Sequence, residues 1–227
     1  MPATSYGKER QMDFAGLALV ADHVDVTTAY LGGTALTATA AELNITDGVT
    51  ATAAEINKLD DSLASNILTR GAGVDTAESY ATGIFRNGNL VTTRIVVDLT
   101  GLVGSATDLD IIGETGGAAD CHWGQLTVAK SGTLIGGQIT CLELPAGGAD
   151  DIDFYSATVS TGAQDVDVTT LTETVLITSG AAWASGTTKG MTGLPPANDY
   201  LYIVNGEAAG GTFTAGKFLI EFYGYVA

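Results

Sequence analysis

The chain has 227 residues, of which 26 are acidic and nine basic, for a net charge of −17. Its 45% hydrophobic content and mean hydropathy of +0.25 exclude wholesale disorder, and it has no apolar run of the roughly 18 residues that a membrane-spanning helix needs. A body this acidic repels phosphates, which argues against direct nucleic-acid binding; residues 1–94 hold six basic and 11 acidic side chains, and residues 95–227 hold three lysines and 15 carboxylates.

The first ten residues lack an apolar signal core, so the expectation is synthesis and use without signal-peptide export. Residues 1–35 read as an extended N-terminal anchoring arm. Val24, Val26, Thr27 and Thr28 favour extended chain before Gly32-Gly33 interrupts it.

Residues 36–62 contain a tandem repeat. Thr37-Ala-Thr-Ala-Ala-Glu-Leu-Asn-Ile-Thr-Asp-Gly-Val49 is followed directly by Thr50-Ala-Thr-Ala-Ala-Glu-Ile-Asn-Lys-Leu-Asp-Asp-Ser62. Each unit of 13 residues carries a capping box, Thr39 with Glu42 and Thr52 with Glu55. In such a box the Thr hydroxyl accepts from the backbone N–H three residues on, and the Glu carboxylate accepts from the Thr N–H. The spacing predicts two short helices, each ended by Asp47-Gly48 or Asp60-Asp61. Helices of about two turns are marginal alone, and two units are too few to cover each other. Leu43 and Ile45, with Ile56 and Leu59, are therefore the candidate assembly contacts. A helix-turn-helix linker lying on its own domain is the competing reading.

These tandem units resemble those of virion structural proteins of tailed bacteriophages, notably fibres and capsid-decorating proteins. The resemblance covers residues 36–61; the second unit departs from it at Lys58 and at Asp61, which replaces glycine. It implies a structural part of a virion and supplies no catalytic residue.

Residues 63–79 read as a connector, and 80–227 as an acidic domain built from strands. Segments 80–86 and 90–99 flank Asn87-Gly88, a hairpin signal. Further strands are expected at 124–129, 134–144, 154–160, 166–171, 173–178, 201–204 and 211–226, with Gly, Asp, Thr and Pro between them. The fold class is mainly β: an antiparallel, jelly-roll-like β-sandwich with an N-terminal extended arm and two short helical repeats.

Catalytic signals are sparse. His122 sits between Cys121 and Trp123, but neighbours on a strand face opposite ways, so a Cys–His pair is not expected there. Cys121 and Cys141 read as buried thiols, with a cross-strand disulfide as the alternative. Carboxylates two apart, at Asp108 and Asp110, at Asp150-Asp151 with Asp153, and at Asp165 and Asp167, permit calcium binding, but the full loop pattern with its fixed Gly and distal Glu is missing. Solvated carboxylates are the default, and glycoside hydrolysis lacks a visible pair across a cleft. The loop holding Trp183, Met191 and Pro195-Pro196 either binds a ligand or covers the core.

Together these readings give an expected function as a capsid decoration or cement protein. It would bind the major capsid protein and copies of itself as a homotrimer, without enzyme activity or cofactor, on the capsid exterior. The alternative is a fibre or spike protein recognising a host surface receptor.

Overall fold

A computed structural model describes residues 67–226, together with a two-stranded antiparallel hairpin of β1 (Tyr30–Leu31) and β2 (Thr34–Ala35). The hairpin pairs Tyr30 with Ala35 and Leu31 with Thr34. It belongs to one compact unit, Met1–Ala51, and the strand-rich body belongs to a second, Thr52–Ala227.

The second unit is mainly β and its sheets are antiparallel. A five-stranded sheet runs in the order β3 (Tyr80–Asn87), β4 (Leu90–Asp98), β12 (Ala215–Tyr225), β6 (Thr133–Ala146), β9 (Thr188–Gly190). A three-stranded sheet runs β10 (Tyr200–Asn205), β7 (Ile152–Ala157), β8 (Glu173–Ile177). The short strands β5 (Val103–Gly104) and β11 (Gly211–Thr212) pair with each other.

Alternation explains which side of the large sheet is buried. Val91, Thr93, Ile95 and Val97 of β4 point inward, as do Phe218, Ile220 and Phe222 of β12. Phe154 of β7 meets Phe218 edge-on at 5.3 Å between ring centroids, so the two sheets share one core. Trp183 closes that core, edge-on to both rings, while its indole N–H donates to the Ile152 carbonyl at 2.8 Å. The loop after β8 therefore covers the core. Strand β12, which carries a long aromatic run, lies between β4 and β6.

Several segments differ from the sequence reading, each for a local reason. The β3–β4 loop is Gly88-Asn89, with Asn87 already paired to Leu90; Gly88 takes the first central position at φ +61°, where a type II′ turn places glycine. Residues 124–129 form no named strand. Instead Thr127 accepts from the Lys130 N–H and starts a one-turn helix, α1 (Val128–Ser131). Residues 166–171 are mostly a 3₁₀ turn, Val168–Leu171, because the Asp167 carboxylate accepts from the Thr169 N–H at 2.8 Å. The 211–226 run is split into β11 and β12. Within the connector, Leu68 and Val74 are fully buried, so residues 67–79 pack as part of the body.

Candidate functional site

Because Phe154 faces the other sheet, its neighbours Asp153 and Tyr155 point away from it. There Asp153 and Asp151 lie buried near Asp108. The Ser179 N–H donates to Asp153 Oδ1 at 2.5 Å. Asp151 Oδ1 has no hydrogen-bond partner among the described residues. A Cβ on Gly206 would come within 2.8 Å of Asp151 Oδ1 and 3.0 Å of Asp153 Oδ1, so the chain passes close over both carboxylates. Burial, reinforced by the charges of Asp151 and Asp108, pushes Asp153 up to about 6; the Ser179 N–H and the Lys189 charge oppose the rise. Lys189 is anchored close by, donating to the Ser179 carbonyl at 3.0 Å with its ammonium 4.5 Å from the Trp183 ring centroid.

This arrangement predicts a pH dependence. The folded chain holds the Asp153 proton to about pH 6, whereas the unfolded chain releases it near pH 4. Stability from this group is thus full below about pH 4 and is lost as pH rises toward 6. Asp153→Asn should flatten the fall in thermal midpoint between pH 4.5 and pH 7 (conditions spanning about that window) and raise the midpoint at pH 7. An unchanged pH profile would show that Asp153 is ionised throughout.

The other carboxylates mostly close local turns. Glu207 accepts from the Asp150 N–H at 3.0 Å, and Asp110 accepts from the Ser105 hydroxyl. Asp167 caps the Val168–Leu171 turn. Among the described residues no three His, Cys, Asp or Glu side chains are grouped so as to hold a metal ion. Both cysteines are buried free thiols. The Cys121 thiol, pushed up to about 11 by burial, donates to the Ala118 carbonyl at 3.1 Å and makes no bond to His122. A thiol held protonated in this way is a poor nucleophile.

The outward face of the five-stranded sheet is a different kind of surface. At its centre Glu221 accepts from Arg94 at 2.8 Å and from Gln138 at 2.7 Å. Beside this polar row lies a shallow hollow of about 200 Å³ lined by Ala81, Phe85, Val96 and Leu219, with the Arg94 guanidinium 5.4 Å from the centre of the Phe85 ring. Phe85 is 56% exposed and Leu90 58%. Strand β3 pairs only with β4, which leaves its other edge open among the described residues. An open edge beside an apolar face is a place where another chain can add. At the other end, Lys217 bridges Asp98 at 3.1 Å and Glu143 at 2.8 Å. Burial raises the Asp98 pKa, but hydrogen bonds from Thr100 and Lys217 outweigh it and hold the carboxyl below its usual value.

The capping residues Thr39, Glu42, Thr52 and Glu55 lie outside the described residues, as do the contact candidates Leu43, Ile45, Ile56 and Leu59. Sequence reasoning pointed to that segment and missed the outward face of the large sheet. The signal available there was the alternation of Arg94, Val96 and Leu219 with the buried positions. In comparisons with protein families, with characterised proteins and with solved structures, the chain matches none.

Proposed function

We propose that the protein is a structural component of a tailed-bacteriophage particle, a decoration or cement protein on the outer capsid surface. The observation that carries this reading is the tandem unit of residues 37–62, with its paired capping boxes and its apolar Leu43, Ile45, Ile56 and Leu59. Short capped helices with an apolar face need a partner surface. The major capsid protein and sister copies of the chain, closed as a homotrimer, would provide one. The jelly-roll-like body would face outward, its 17 carboxylates against six Lys and Arg in residues 67–226 limiting non-specific association. The open β3 edge and the hollow beside it add a second surface for a neighbouring copy. The role is one of contact and not of catalysis: repeated weak contacts gain strength from symmetry.

The test is a sedimentation assay with particles that lack the protein. Full-length protein should co-sediment with them saturably and raise the temperature at which the shells release their contents. Absence of binding, or binding only to isolated tails, would contradict the capsid reading.

A further inference from the structure

On the side of the molecule where α1 meets the start of the described body lies a pocket of about 320 Å³, within the size range of small-ligand sites. Its wall includes Arg70, Lys130, His122, Tyr200, Gln125 and Thr69. Among the described residues no carboxylate lines it, although the described body carries 17 carboxylates and only six Lys or Arg. Two of those six scarce cations meet at one pocket.

The wall is held in place by backbone and side-chain contacts. Gly71 donates to the His122 carbonyl at 2.8 Å, and a Cβ there would lie 1.7 Å from the Asp120 carbonyl oxygen. This close approach seats Arg70 beside His122. The Arg70 guanidinium is fixed by Asp75 at 3.0 Å and by the Ala77 carbonyl at 3.3 Å. Lys130 donates to the Ile67 carbonyl at 2.7 Å and has no carboxylate partner among the described residues, so two of its three donors are free. His122 Nδ1 accepts from the Gly124 N–H at 3.3 Å, which leaves the proton of the neutral ring on Nε2. Burial lowers the His122 pKa, with the Asp120 charge opposing, so the ring is neutral at pH 7 (above the ordinary value of about 6.5). The His122 and Tyr200 rings lie 4.8 Å apart. Gln125 donates to the Asn198 carbonyl at 2.8 Å, and that bond leaves its side-chain oxygen able to accept.

The pocket thus combines an ammonium with no carboxylate partner among the described residues with hydroxyl and amide groups that both donate and accept, and with an aromatic ring. A site for a bare inorganic oxyanion needs donors alone. Acceptors such as the Gln125 oxygen and the Thr69 hydroxyl match ligand hydroxyls, and Tyr200 adds an aromatic ring to the lining, a surface suited to a sugar's C–H groups. We propose that this pocket binds a carboxylated sugar residue, with Lys130 holding the carboxylate and Gln125, Thr69 and His122 Nε2 reading the hydroxyls. Such binding does not depend on where in a particle the protein sits.

The test uses the full chain, titrated with glucuronate, glucose and inorganic phosphate, and followed by the His122 ring resonances and by calorimetry. Glucuronate should bind in the millimolar range and shift the His122 signals. Lys130→Gln should weaken it about tenfold, the loss expected for one charge-assisted contact, while the protein stays folded at the titration temperature with at most a small fall in thermal midpoint from the lost bond to the Ile67 carbonyl. Gln125→Ala should weaken glucuronate more than it weakens phosphate, and glucose should bind more weakly than glucuronate. Failure of glucuronate to shift His122, or an unchanged affinity in Lys130→Gln, would overturn the site. Phosphate binding as tightly as glucuronate would overturn the sugar assignment.

Discussion

Replacing Phe218 by alanine is expected to cost about 3–5 kcal/mol, the range for a buried aromatic truncated in a packed core. The side chain is fully buried on the central strand β12, flanked by β4 and β6. It stands 5.3 Å from Phe154 of the opposing sheet and 5.3 Å from Trp183 of the covering loop. Its loss therefore leaves a void that touches three parts of the fold at once. The neighbouring Leu219 points outward from the same strand, so Leu219→Ala should cost only about 1 kcal/mol. Denaturant midpoints of the two variants, with slopes unchanged, give the comparison. Equal losses in the two variants would mean that both faces of the large sheet are packed, leaving no outward surface for a neighbouring copy.

The second large effect is expected in assembly. Changing Leu43 and Ile56 together to aspartate places a charge in each repeat at the position expected to meet a partner. Desolvating an unpaired carboxylate at an interface costs several kcal/mol. With many copies acting together, attachment to particles should fall below detection. The thermal midpoint of the body should stay the same, since the core residues among those described, Leu68 onward, are left unchanged. A fall in the midpoint with attachment retained would indicate that the repeats brace their own domain instead. Changing the capping residues Thr39 and Thr52 to alanine should weaken attachment less, in keeping with about 1 kcal/mol per cap.

Much of the β body was legible because alternation survives in long strands. The Phe218, Ile220, Phe222 series and the 14-residue β6 are plain in the chain. Where reading failed, a single polar side chain had redirected the backbone. Thr127 and Asp167 sit inside runs with β-friendly composition, yet each accepts from a nearby N–H and begins a helical turn. Strands β5 and β9 are two and three residues long and contain glycine, so tertiary pairing alone creates them. The pocket was not legible, because Arg70, His122, Lys130 and Tyr200 come from separate segments whose spacing has no pattern. The usable clue was scarcity. In a chain with only nine Lys and Arg each cation is worth following, and Lys130, like Arg86 and Lys189, pairs with no carboxylate among the described residues.

Attachment of this chain to the shell of a phage particle through its N-terminal repeats can be seen or refuted by imaging intact particles with and without the protein. An ordered density at symmetry-related positions over the capsid lattice is expected, present only when the protein is present. Density confined to the tail, or particles identical in both preparations, would contradict it.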